Sequence, residues 1–142
     1  MIKMKKSLVV SFLAASAFSI AAHAATPTKI DPVKACFDRA QNQEQQARCY
    51  EQAIAMQKKR LSAAYNKLVV RRKAMNDSEG IAALNQLQKN WIGWRDQTAN
   101  FLNGNVAGSA SAVFTVSNDF LLDAVTKQAE LLETIRDMEG GE

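Results

Sequence analysis

The stretch Glu44–Met75 reads EQQARCYEQAIAMQKKRLSAAYNKLVVRRKAM. It holds neither proline nor glycine, and Ala, Gln, Leu and Lys dominate it, residues that lose little on entering a helix. Ala47, Tyr50, Ile54, Leu61, Ala64, Tyr65, Leu68 and Met75 recur mostly at spacings of three, four or seven, which places them along one face of a helix. The reading is one long amphipathic helix, and such a helix needs partners to cover its apolar face.

The partners lie on either side. Downstream, Asn76-Asp77-Ser78-Glu79-Gly80 interrupts the pattern, and Asn76 with Glu79 three residues later resembles a capping box. A third helix then runs to about Leu102, with Ile81, Leu84, Leu87, Gln88, Trp91, Trp94, Arg95 and Thr98 as its stripe. The small-residue loop Asn103–Ser109 follows. A fourth helix is expected over Ser111–Met138, lined by Val113, Val116, Phe120, Ala124, Leu131, Ile135 and Met138 and widened by Phe114, Leu121, Val125 and Leu132. Upstream, a short helix covers about Val33–Ala40. No proline occurs after Pro32, β-branched residues are sparse, and all the glycines except Gly93 fall near expected breaks. The fold class is therefore all-α: a small antiparallel bundle of one short and three long helices, connected up-down-up.

The first 24 residues read as an address. Lys3, Lys5 and Lys6 precede the uncharged run Leu8–Ala22, and Ala22-His23-Ala24 has the small-x-small pattern of a signal-peptide cleavage site. The run is shorter than the roughly 20 apolar residues that a spanning helix needs. The expected organisation is a signal peptide at 1–24, a leader at 25–32, a helical domain at 33–139 and a tail at 140–142, with the product periplasmic or secreted and not inserted in a membrane. Cleavage would remove three lysines and no acid, so the formal charge of the 142-residue chain falls from +4 to about +1. The basic balance then belongs largely to the signal, and nucleic acid is not an expected partner. What remains is segregated: Gln52–Asn76 carries seven cations and no acid, while Asp119–Glu142 carries seven acids against Lys127 and Arg136. Two such faces attract one another when packed antiparallel; alternatively, one of them meets a charged partner.

The only histidine is His23, inside the expected signal. Its loss excludes imidazole-based catalysis and histidine metal ligation. Glu130 and Glu133 sit at a spacing ordinary for a solvated helix face, and there is no phosphate-binding glycine loop. The sequence yields no catalytic, cofactor or metal site, and the expectation is a protein that is not an enzyme. Cys36 and Cys49 are the only cysteines. In an oxidising compartment they are expected to form a disulfide. Continuous helix would hold them roughly 20 Å apart, whereas a disulfide needs Cα atoms within about 7 Å, so the chain must reverse near Gln41-Asn42-Gln43. The alternatives, a redox pair or a metal site, usually show C-x-x-C or four ligands, and neither is present.

Gln88, Trp91 and Arg95 lie three or four apart, with Trp94 beside them. Two readings compete. Trp and Arg are frequent anchors of binding interfaces; the same residues also suit a helix-packing centre in which the rings fill the core and Arg95 covers one of them.

The order Cys36, Cys49, Leu61-x-x-x-Tyr65, Leu84-x-x-x-Gln88-x-x-Trp91-x-x-x-Arg95-Asp96, Gly108-Ser109 and Thr126 ahead of Leu131 resembles the lysozyme-inhibitor LprI-like family of small exported helical proteins. The resemblance spans nearly the whole chain after the signal, and the Gln-Trp-Arg-Asp run is its most specific part. Its motif residues here are Leu61, Tyr65, Gln88, Trp91, Arg95 and Asp96. Members typically carry two further cysteines, where this chain has Ala99 and the neighbourhood of Phe120 and Leu121; the family arginine after the threonine corresponds to Ala129. The resemblance implies an exported protein-binding module of the bacterial cell envelope whose partner is a lysozyme-type glycosidase. Lysozymes are commonly cationic with a carboxylate-containing cleft, so the acidic last helix or the Gly104–Ser109 loop is the expected contact. The alternative is a periplasmic immunity or accessory protein that binds a different envelope enzyme.

Overall fold

The computed structural model describes residues 31–140. The expected signal peptide at 1–24 lies outside the described residues, as do positions 25–30 of the leader and 141–142 of the tail. Four helices make up the described chain: α1 (Pro32–Arg39), α2 (Gln43–Ala74), α3 (Ser78–Asn105) and α4 (Ala110–Gly140). This is the all-α bundle expected from the sequence, and no strand occurs among the described residues.

Local chemistry sets the helix ends. Asp31 accepts a hydrogen bond from the Val33 N–H (2.9 Å), and Pro32 opens α1, where a missing N–H costs nothing. Asn42 caps α2 by accepting from Gln45 N–H (2.9 Å), while the Gln45 side chain reaches back to Gln41 N–H (2.7 Å). That reciprocal pair makes the reversal expected near Gln41–Gln43. The break after α2 differs from expectation. Asn76 does not cap α3; it adopts a left-handed φ of 57°, and the N–H groups of Asn76 and Asp77 bond back to the carbonyls of Lys73 and Arg72. This is a Schellman ending for α2. The α3 cap is Asp77, whose carboxylate accepts from Gly80 N–H (2.8 Å). Both residues favour caps and αL positions, so composition alone leaves open which does which. Helix α3 also runs past Leu102 to Asn105, taking Gly104 into the helix, and Ser109 Oγ then accepts from Ala112 N–H at the start of α4.

Cross-helix bonds fix the topology. Tyr50 donates to Asp119, Arg60 to Glu133 and Arg72 to Glu139. The numbers climb together, so α2 and α4 run parallel, with α3 antiparallel to both. The basic and acidic helices do attract one another, as expected, but not in antiparallel packing: the chain reverses into α3 and again out of it, which returns α4 to the direction of α2.

The interior is built from small residues. Leu68, Leu132 and Val125 are fully buried, as are Ala53, Ala64 and Ala129, and Ala124 is buried with them. Alanines at these positions let helix axes approach closely. A cluster of Ala64, Leu68, Leu84 and Leu132 forms the three-helix core, with Leu61, Tyr65, Val69 and Ile135 packed against it. The apolar stripes are rotated from expectation. The buried line of α4 is Ser117, Ala124, Val125, Gln128, Ala129 and Leu132, whereas Val116, Leu131 and Met138 are 43%, 44% and 77% exposed. Met75 on α2 and Leu87 and Trp94 on α3 are likewise outside. Each helical step turns a side chain by about 100°, so Val116 and Leu131 are carried outward beside buried Ser117 and Leu132.

Candidate functional site

At one end of the bundle, Cys36 and Cys49 form the expected disulfide, with Cα atoms 5.7 Å apart. It holds α1 on the first turns of α2. Phe37 packs edge-on against Tyr50 (4.7 Å between ring centroids), and Tyr50 packs on Phe114 of α4 (6.0 Å). The Tyr50 hydroxyl donates to Asp119 Oδ1 at 2.5 Å. Burial, with the Asp119 hydrogen bond and charge, pushes the Tyr50 phenol up to about 12. Further along, Arg60 holds both oxygens of Glu133 (3.1 and 2.5 Å) and donates to Gln57. The Arg60 guanidinium keeps the Glu133 carboxyl below its ordinary range. These contacts bind α4 to α2. Among the described residues, no group of three or more His, Cys, Asp or Glu is placed to hold a metal ion.

The Leu-Tyr-Gln-Trp-Arg-Asp motif divides between two sides of α3. Leu61 and Tyr65 pack on the core cluster, and Tyr65 donates to Asn85 of α3. Gln88 is buried beside them and lines a recess with Leu61, Ser62, Tyr65 and Asn66. Its amide nitrogen has no hydrogen-bond partner, and an unmet buried donor costs about 1–3 kcal/mol. Arg95 lies over the Trp91 ring, 4.8 Å from its centroid, a cation–π contact that covers one face of a half-buried indole. Asp96, largely exposed, accepts from Arg95 (2.8 Å). The packing-centre reading thus describes buried Gln88 and the Arg95 that covers Trp91. It does not describe Trp94, which is 52% exposed and packs edge-on against Phe120, 5.4 Å away.

Trp91 and Trp94 form one wall of a groove of about 480 Å³ between α3 and α4. The other wall is Phe120, Asp123, Ala124, Lys127, Gln128 and Leu131, and no residue of α2 lines it. The groove falls within the size range of ligand and side-chain pockets. Asp123 and Lys127 pair across one turn at its rim (2.9 Å). Gln128 is 7% exposed, and its Nε2 has no partner. Sequence reasoning placed Phe120 and Leu131 in the core and overlooked Asp123, Lys127 and Gln128. The available signal was the width of the α4 stripe: eleven apolar positions around one helix are more than a single interior can cover.

The family model described as lysozyme inhibitor LprI matches residues 36–132. The chain belongs to the LprI family. No curated protein and no solved structure matches it. In this LprI family member the matched segment opens at Cys36 of the disulfide and closes at Leu132 of the core, and it contains the motif residues on α2 and α3 and every residue of the α3/α4 groove. No helix among the described residues is long and apolar enough to cross a membrane.

Proposed function

We propose that this LprI family member is an exported protein of the bacterial cell envelope that binds and inhibits a lysozyme-type glycosidase. The observation that carries the reading is the family match over residues 36–132. Two features support it. The signal-like segment at 1–24 and the Cys36–Cys49 disulfide suit an oxidising compartment outside the cytoplasm. The conspicuous surface feature is an aromatic groove with side chains suited to contact and none arranged for bond-breaking. Inhibition by occlusion needs only a stable complementary surface, which a rigid helical bundle provides.

The test is a lysis assay. Protein expressed from the full-length sequence and recovered from the exported fraction is added in increasing molar ratio to lysozyme acting on purified cell walls. Saturable inhibition near equimolar ratio is expected. Full lysis at a hundredfold excess refutes inhibition, and recovery of a different envelope enzyme by affinity capture would assign the protein to that partner.

A further inference from the structure

Helix α3 presents Leu87, Trp94 and Phe101 at successive spacings of seven, and all three are exposed, by 42%, 52% and 57%. A residue repeating every seven positions stays on one side of a helix, so these form a continuous strip. It runs alongside the groove, whose opposite wall brings Phe120 and exposed Leu131. Large apolar side chains in a row on a small exported domain mark an interaction surface.

The rim says which surface fits. Asp123, which lines the groove, and Glu130 seven residues further along the same side of α4 are both exposed. Asp123 is partly offset by Lys127, while Glu130 forms no salt bridge among the described residues and feels only the charge of Arg60. Inside the groove, Gln128 is more than nine-tenths buried and its amide nitrogen is unpartnered, so a polar group is held ready beside the aromatic wall. The outer side of α2 has the opposite sign: Lys58, Lys59, Lys67, Arg71 and Lys73 are exposed and meet no carboxylate among the described residues. A positively charged protein approaching this molecule is attracted at α4 and repelled at α2.

The geometry points to the α3/α4 groove and its acidic rim as the docking site for a cationic protein surface that inserts an apolar side chain between Trp94 and Leu131 and offers a carbonyl or other acceptor to Gln128. This deepens the lysozyme reading and rests on it for the identity of the partner.

The two indole N–H groups, Trp91 and Trp94, are the only tryptophans in the chain and both line the groove. In a ¹⁵N-labelled sample of the exported protein, both indole signals should shift on titration with an unlabelled cationic lysozyme. Trp94→Ala should weaken binding at least tenfold, as loss of a central aromatic anchor does. Glu130→Lys should weaken it several-fold and reduce its salt dependence, and Lys59→Glu should leave it unchanged or tighter. Binding that survives Trp94→Ala and Glu130→Lys within twofold, or is lost with Lys59→Glu, overturns the assignment while leaving the lysozyme reading intact. If Trp94→Ala fails to fold, Leu131→Ser and Glu130→Lys carry the same comparison. If lysozyme does not bind at all, the lysozyme reading fails and a basic Lys/Leu amphipathic peptide becomes the probe: indole shifts uphold the groove, and their absence overturns it. Shifts with an N-acetylglucosamine oligosaccharide and with neither cationic probe also overturn it, giving the groove to a saccharide.

Discussion

Reduction of the Cys36–Cys49 disulfide should release α1 and leave the three-helix bundle folded. The bridge spans a sequence separation of 13, and closing a loop of that size restricts the unfolded segment by about 3 kcal/mol in the chain-entropy model. Little else holds α1. It has eight residues, none of them buried, and its side-chain packing on the bundle includes the edge of Phe37 against Tyr50. A helix of that length is marginal without tertiary support. At 1.4 kcal/mol per factor of ten, 3 kcal/mol corresponds to a change of roughly a hundredfold in the opening equilibrium of α1. Hydrogen exchange of the peptide covering residues 33–40, with and without reductant, should show that change. Exchange in α2 beyond Tyr50 and in α3 and α4 should move much less. Had the bridge stabilised the whole domain, the same energy would lower the melting temperature by about 12 °C; a smaller fall is expected, because the closed loop ends within the first turns of α2. Unchanged α1 protection after full reduction, with a melting temperature lowered by the whole 12 °C, would show that the bridge acts on the bundle and that this account of α1 is wrong.

Tyr50→Phe should cost about 1–2 kcal/mol at neutral pH by removing the bond to Asp119. The phenol is raised from its ordinary 10.0 to about 12, so its contribution is complete below pH 10 and lost as pH climbs from 10 toward 12; an alkaline denaturation series should show a limb there that the Phe variant lacks. Glu133 moves the other way. Its carboxyl is lowered from 4.5 by the Arg60 hydrogen bond, so its contribution is present above pH 4.5 and lost as pH falls below it. Glu133→Gln should flatten that acid limb in a urea titration while costing at most about 1 kcal/mol at neutral pH, since the pair is partly exposed. Gly80→Ala should lower the melting temperature even though alanine favours a helix, because a Cβ there would lie 2.0 Å from Asp77 Oδ2 and 2.2 Å from Arg72 Nη1; a melting temperature equal to or above that of the parent would show that the Arg72–Asp77 knot yields freely. Asn76→Gly should hold or raise stability and Asn76→Ala should cost about 1 kcal/mol, as the left-handed φ of 57° requires.

The helices were legible in the sequence because their signals are local. The stretch Glu44–Met75 has no breaker, and the structure begins α2 only one residue earlier, at Gln43, where the Asn42 cap sets it. The disulfide was expected from an oxidising compartment and a single cysteine pair, and the reversal between its cysteines followed from distance. The facing of α4 was legible only in part: Ala124, Val125 and Leu132 of the apolar stripe are buried, but hydrophobicity does not pick out the interior Ser117, Gln128 and Ala129, and Val116, Leu131 and Met138 lie outside. The division of the Gln88–Arg95 run also escaped the sequence. Residues three and four apart share a broad face of about 100°, wide enough for Gln88 to turn toward α2 while Trp91 and Trp94 line a groove on α4.

That inversion of small and large residues bears on what the surface does. A helix optimised only for packing would put Leu131 or Trp94 inside and leave alanine and glutamine to solvent, since burying one large apolar side chain is worth about 1.5–3 kcal/mol. This chain instead buries Gln57, Gln88, Ser117 and Gln128 and leaves the amide nitrogens of Gln88 and Gln128 and the Ser117 hydroxyl without partners, while Trp94, Phe101 and Leu87 stand in water. Each choice forgoes stability that a simple exchange of residues would recover. The alanines explain part of it, because Ala53 and Ala64 on α2 with Ala124 and Ala129 on α4 let these parallel helices lie close. They do not explain why the aromatic residues collect on α3 beside an acidic edge of α4, where Trp94 meets Phe120 edge-on and Arg95 covers Trp91 while much of their apolar surface stays exposed. A surface that the fold does not need, built from residues that water disfavours, is accounted for when a second protein covers it, and that requirement is met by the same groove to which the charge distribution directs a cationic partner.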